Sequence, residues 1–326
     1  MKIQNVTIYG GGLIGSGWAT HLLHHFKNGN IIVYDLDDEK LEACKEKANQ
    51  GLEFFQNEGI IDEKTRLQYM ASLKTTTDVK KAVEDADLII ECVPEKLELK
   101  QSVIANIEQY CKDDAIISSS TSGIMANRIV ANARRPERIL GAHPYNPVYL
   151  LPLLEIIKND RLEDQYLQTA LEFFRSIDKK PVVLLKDSPQ YIGSRLMAVL
   201  CREALTMLAD GICTMEDLDD AFTYGPGMRY GLMGIMMTYQ LGGGKGGLNQ
   251  LLNGPIGQSA MTYYDQFANW TKDTCPQKVY DYMEIAQDEM NKVMANRDDV
   301  HGRTNEEIEA FRDHGLLELL KVHHLI

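Results

Sequence analysis

The chain has 326 residues, 44% hydrophobic and 25% charged, which is the composition of an ordinary folded protein and enough length for two domains. A formal charge of −13 argues against nucleic acid and anionic membrane as partners, because both depend on basic patches, and leaves a small molecule as the expected partner. No apolar run approaches the roughly 20 residues of a membrane span, and residues 1–10 enter a strand-like pattern without a signal-peptide core, so a cytoplasmic location is expected. Six scattered cysteines, with no C-x-x-C pair and no ligand spacing to histidine, read as reduced thiols, and no metal site is expected.

The first predicted element is a strand over Ile3 to Tyr9, followed by Gly10-Gly11-Gly12-Leu13-Ile14-Gly15 and a helix from about Leu13. A second strand, IIVYD, ends at Asp35, twenty residues after Gly15. In a dinucleotide-binding turn each part has a task. Gly10 permits the tight turn, Gly12 lets the backbone approach a pyrophosphate, and Gly15 lets helix and strand pack closely. The free N–H groups and positive dipole end of the helix hold the phosphates. Asp35 accepts from a ribose diol and repels a 2′-phosphate, which favours NAD over NADP. His21, His24 and His25 on the first helix read as solvated surface residues.

Next come a charged helical hairpin over residues 38–70, a helix feeding an apolar strand from Leu88 to Val93, the helix of KLELKQSVIANIEQYC, and the strand AIISSST. Alternating strands and helices mean a doubly wound, mostly parallel sheet of Rossmann type, with ligand at the carboxyl ends of the strands, where Glu95 and Ser118 to Ser122 fall. In GAHPYNPVYLLPLLEI a strand over Ile139 to Ala142 precedes a Pro-rich turn and a second strand ending near Glu155 to Ile157. Such a pair can set His143 beside Glu155 as a proton relay, or it can be a strand and turn that happen to contain both. The strand PVVLLK ends near Lys186. From 187 to 326 the pattern is helical, with Thr214 to Asp217 as a capping box, which predicts an all-helical second domain after a first domain of residues 1–186.

Taken in order, the segments IYGGGLIGSGWA, ECVPEKLELK, SSSTSGI, GAHPYNPVYLLPLLEI and DSPQYIGSRL resemble the 3-hydroxyacyl-CoA dehydrogenase family over essentially the whole chain. The resemblance implies an NAD-dependent oxidation of the 3-hydroxyl of a small 3-hydroxy acid. His143 is then the general base, Glu155 its orienting carboxylate and Ser122 a donor to the reacting oxygen, with Glu95, Lys100 and Asn146 along the NAD site. Ser194 stands where the family usually carries Asn and is kept as a weaker catalytic candidate. In the second domain, GPGMRYGLMG, with Arg229 and Tyr230 replacing the Pro-Met of the CoA type, resembles the branch that oxidises free hydroxy acids. Carnitine is the first expected substrate, another free acid such as gulonate the second and an acyl-CoA the third. A non-catalytic NAD-binding or structural protein is the reading from another class.

A trimethylammonium group is held by aromatic faces at about 0.5–2 kcal/mol per ring, and Tyr145, Tyr149, Tyr224, Tyr230 and Tyr239 are the rings considered, of which at most two are expected to touch ligand. Arg229 can pair with a substrate carboxylate or serve only to cap a helix or bridge domains. A homodimer sharing the helical domain is expected, as in the family.

Overall fold

A computed structural model describes residues 2–263 and 266–325; the chain ends at 1 and 326 lie outside the described residues. The chain forms two compact units, one running to Ile192 and the other from Gly193 onward. The first unit thus continues past Lys186, because Asp187 and Tyr191 are held within it. The Asp187 carboxylate accepts from the N–H groups of Ala126 and Asn127, and the Tyr191 hydroxyl donates to the Ile124 carbonyl at 2.9 Å.

In chain order the first unit comprises β1 (Asn5–Tyr9), α1 (Leu13–His25), β2 (Asn30–Tyr34), α2 (Asp38–Asn57), α3 (Glu63–Ser72), β3 (Lys74–Thr76), α4 (Val79–Val83), β4 (Leu88–Glu91), α5 (Leu97–Ile107), β5 (Ile116–Ser119), α6 (Ala126–Ile129), β6 (Ile139–Pro144), β7 (Leu153–Ile157), α7 (Asp164–Ser176) and β8 (Lys180–Leu184). These eight strands make one sheet in the order β3-β2-β1-β4-β5-β6-β7-β8. Only the β6–β7 pair is antiparallel among the described residues. The central strands are apolar runs because helices cover both faces and no side can turn to water. Leu88 to Glu91 and Ile116 to Ser119 are buried at every position.

Two strand ends differ from the sequence reading. β4 stops at Glu91 rather than Val93, because the Glu91 carboxylate folds forward onto the Val93 N–H at 2.7 Å and turns the chain off the sheet. β6 runs on to Pro144, so His143 lies in the strand itself.

The reading of His21, His24 and His25 as solvated is overturned, since α1 buries every residue from Gly15 to Leu23. His21 is 3% exposed, with Nε2 against the Ile177 carbonyl at 2.8 Å. His24 stacks on Phe55 with centroids 4.7 Å apart, and His25 meets the Asp178 carboxylate at 2.9 Å. A helix placed between α2 and the turn after α7 has no outer face on which to expose them. Lys179 is buried beside this cluster; its ammonium donates to the carbonyls of Val148 and Leu151, lies 5.2 Å from the Trp18 ring, and is pushed down to about 7 by burial. It therefore pins the loop between β6 and β7.

Burial also lowers His24 from its usual value to about 4, with the neighbouring His25 and Lys27 adding to it. The unfolded chain then binds more protons than the native one between pH 6.5 and about 4, so stability is lost as pH falls through that window. His24→Phe keeps a ring against Phe55 and removes this loss. At pH 5 it is expected to be more stable than wild type by about 1–2 kcal/mol relative to the same difference at pH 8, read by urea unfolding at the two pH values. An equal difference at both pH values would overturn the assignment.

The second unit holds α8 (Ile192–Ala209), whose first residue is the last of the first unit, then α9 (Met215–Phe222), α10 (Met228–Leu232), α11 (Ile235–Gly242), α12 (Gly247–Asn253), α13 (Pro255–Met261), α14 (Gln277–Asn296) and α15 (Asn305–Val322). At the start of α9, Thr214 accepts from the Asp217 N–H, but Asp217 takes the Thr214 hydroxyl instead of the backbone N–H, so the box is half made. The complete box lies at α15, between Thr304 and Glu307. Few large side chains are interior here, among them Leu208, Val279 and Leu317, whereas Leu196, Met197, Val199 and Leu200 of α8 are all exposed. No helix among the described residues is long and apolar enough to cross a membrane.

Candidate active site at the carboxyl ends of the strands

The turn between β1 and α1 is shaped by two close approaches. Gly10 has φ +107° and lies over the Cys92 backbone, where an added Cβ would sit 3.0 Å from the Cys92 carbonyl. At Gly15 an added Cβ would stand 1.9 Å from the Gly10 carbonyl oxygen, so only Gly lets the helix start this close to the turn. Gly12, by contrast, faces open space and caps α1 with no side-chain bond, leaving the first N–H groups of the helix uncovered by a side chain.

These residues border a cavity of about 740 Å³, lined by Gly10, Gly12, Leu13, Ile14, Asp35, Glu95, Ser122 and His143 among others. Asp35 stands just past the end of β2. Its carboxylate accepts from the Gly11 and Leu36 N–H groups, both at 2.7 Å, and so holds the glycine turn as well as facing the cavity. An uncapped helix N-terminus, an open approach at Gly12 and an acidic side chain at the neighbouring strand end fit a dinucleotide, with phosphates over the helix and ribose at Asp35.

A second group of side chains forms the floor at the ends of β4 and β5. Glu91 is fully buried and accepts from the Lys100 ammonium at 2.9 Å, the Val93 N–H and the Ser119 hydroxyl. Lys100 also lies 3.4 Å from Glu95 and donates to the Val93 carbonyl at 3.2 Å. Lys100 is 1% exposed and lies behind the cavity wall, reaching the expected NAD site through Glu95. It turns back under the loop to neutralise Glu91, because a carboxylate with no access to water requires a partner. Glu95, exposed at the wall, accepts from the Thr121 hydroxyl at 2.6 Å and from the N–H groups of Ser122 and Gly123 at 2.9 and 3.1 Å. Burial pushes its carboxyl up, but the Thr121 bond, Lys100 and these N–H groups outweigh burial and hold it below the usual range.

On the other side of the cavity, the antiparallel register sets His143 directly opposite Glu155. His143 Nδ1–H donates to Glu155 Oε2 at 2.9 Å, which leaves Nε2 as the acceptor when the ring is neutral. Glu155 is 1% exposed, whereas His143 reaches the cavity wall. The His143 ring is packed between Tyr145 and Tyr191, at 4.9 and 5.5 Å. The two side chains that the spacing allowed to meet are therefore in contact.

Of the remaining candidates, Ser122 shares the cavity wall and its hydroxyl lies 3.4 Å from Glu95. Asn146 is exposed and not on that wall, and Gly15 serves packing. Ser194, Tyr224, Arg229, Tyr230 and Tyr239 belong to the second unit. Tyr149 packs on Phe54 and Phe55 rather than on the cavity. Tyr9 and Tyr34, with ring centroids 4.3 Å apart and tilted at 36°, and Lys40 line the cavity and were not singled out from the sequence. For Tyr9 and Tyr34 the available signal was their position at strand ends; Lys40, in the first turn of α2, carried none.

A doubly wound sheet with this turn and this acidic strand end defines an α/β dinucleotide-binding domain, with His143 on the same cavity. Residues 5–188 match the 3-hydroxyacyl-CoA dehydrogenase NAD binding domain, and residues 191–293 the C-terminal domain of the same family. The chain belongs to the 3-hydroxyacyl-CoA dehydrogenase family and is an NAD-dependent oxidoreductase. It is 34% identical to L-carnitine dehydrogenase of Mesorhizobium japonicum, over 98% of this chain and 83% of that protein. It is 35% identical to that of Oceanobacillus iheyensis, over 98% and 97%. Among solved structures it resembles 5-formyl-3-hydroxy-2-methylpyridine 4-carboxylic acid 5-dehydrogenase, an NAD+-dependent dismutase, with TM-score 0.75, 25% identity, and 99% and 98% of the two chains covered.

Proposed function

We propose that the protein oxidises the 3-hydroxyl of a small free 3-hydroxy acid, L-carnitine first among them, with His143 as general base and Glu155 as its orienting carboxylate. The observation that carries this reading is the buried His143–Glu155 contact of 2.9 Å on the cavity that also holds the glycine turn and Asp35. The hydroxyl proton passes to His143 Nε2, and Glu155 stabilises the imidazolium that results. Ser122, on the same wall, supplies a donor to the substrate oxygen, while Glu95 stays ionised at the loop edge. Bound NAD+ supplies the hydride acceptor for the carbinol carbon.

Two similarities favour a free acid over a CoA ester. The curated relatives at 34% and 35% identity are named for L-carnitine, and the solved relative acts on a small carboxylic acid. The chain's charge of −13 also offers a poor general field for a polyphosphate handle. The exposed apolar side of α8 supports a homodimer, since an apolar patch of this kind commonly marks a protein interface.

The test is NADH formation by the purified protein at mildly alkaline pH with L-carnitine, L-gulonate and 3-hydroxybutyryl-CoA offered separately, with light scattering on the same sample for the dimer. Turnover on L-carnitine, with the other two at least about 100-fold lower in kcat/KM, is the expected result. Turnover on the CoA ester alone would overturn the substrate reading and leave the base untouched.

A further inference from the structure

The Glu155 oxygen that receives His143 receives a second donor: the Tyr145 hydroxyl donates to Oε2 at 3.4 Å, while His143 Nδ1–H donates to the same atom at 2.9 Å. Tyr145 lies two residues beyond His143, just past the end of β6, and its ring stands 4.9 Å from the imidazole at 57°. A side chain serving only as packing needs no hydroxyl here, and a ring reaching only for substrate has no reason to direct its hydroxyl at the relay carboxylate.

We propose that Tyr145 is a positioning residue that shares the Glu155 oxygen with His143 and thereby sets how strongly the relay holds its proton. The proposal rests on the reading of His143 as general base. The sign follows from the shared atom. A phenol donor disperses the charge on Oε2 and weakens the pull of Glu155 on the imidazolium, so neutral His143 is available at lower pH than beside a bare carboxylate. Removing the hydroxyl concentrates that charge and delays the neutral form to higher pH.

The groups around the pair come from several elements. Glu155 comes from β7, Tyr145 from the end of β6 and Tyr191 from the segment before α8, and Tyr191 in turn feels the charges of Glu95, Asp187 and Glu155. None of these is altered by Tyr145→Phe, which keeps the ring and removes only the hydroxyl. The residue opposite Glu155 on β8 is the apolar Val182, and the charge that β8 carries is Lys180 at its start.

The experiment compares wild type, Tyr145→Phe and Tyr145→Leu in two ways. In the first, kcat/KM for L-carnitine with NAD+ is followed across pH. The rising limb of Tyr145→Phe is expected about 0.3–0.5 pH unit above wild type, with the plateau within roughly threefold, the displacement that one long, weak hydrogen bond produces. In the second, the imidazole resonance of His143 is titrated by NMR without substrate, identified by its absence in His143→Gln; it moves upward in Tyr145→Phe by the same amount.

An unmoved limb together with an unmoved resonance would overturn the proposal. So would a fall in plateau with no change of pH dependence, shared by Phe and Leu variants, which would mark Tyr145 as packing. If His143→Gln retains full turnover, the general-base reading fails instead. The resonance then still decides whether Tyr145 acts on the His143–Glu155 pair.

Discussion

Replacing His143 by Gln is expected to lower kcat for alcohol oxidation by about 10²–10⁴-fold while leaving the dissociation constant for NADH within roughly twofold. Gln is the informative choice because its amide can still donate to the buried Glu155, as Nδ1–H does now at 2.9 Å, so the carboxylate keeps a partner and the strand pair keeps its packing. What is lost is the acceptor nitrogen on the cavity side. Ala at the same position removes the donor as well and confounds lost chemistry with an unpaired buried charge. NADH fluorescence titration and steady-state turnover, made on the same preparation, separate the two effects. Undiminished turnover in His143→Gln would remove the general base from the mechanism.

The second large effect is expected at Lys100 and is one of stability. Lys100 is 1% exposed and neutralises Glu91, which has no exposure at all. Lys100→Met leaves that charge with only the Val93 N–H and the Ser119 hydroxyl, and removing one member of a buried ion pair costs about 3–5 kcal/mol. Urea unfolding should show a loss of that size. The double variant Glu91→Leu/Lys100→Met is expected to recover most of it, because no charge is then left behind. A Lys100→Met protein of normal stability whose only defect is weaker NAD binding would return Lys100 to the cavity wall and contradict its burial here. Some weakening of NAD binding is expected from the indirect route, since Lys100 helps to hold Glu95 at the loop edge.

Much of the architecture was legible because it follows from local rules. The alternation of apolar strands with amphipathic helices requires a parallel sheet, and the hydrophobic spacing of α2, seen in the buried Leu41, Cys44, Ala48, Leu52 and Phe55, can be read without coordinates. The glycine turn was legible for the same reason, since only Gly tolerates the Gly10 conformation and the Gly10–Gly15 approach. The burial of His21 and the partial burial of His24 and His25 were not legible. A helix carrying three His looks amphipathic in one dimension, and only packing of both its sides, against α2 and the turn after α7, shows that no solvated face exists.

The sequence by itself determined the class of fold, the cofactor turn and the residues able to form a relay, because periodicity, glycine tolerance and residue chemistry are properties of short segments. The tertiary structure alone decided which of those residues meet. It placed His143 in the strand opposite Glu155, turned Lys100 inward to Glu91 and brought the Tyr145 hydroxyl to the same carboxylate oxygen. Those outcomes depend on strand register and on how buried charges find partners, and both are set by contacts between segments far apart in the chain.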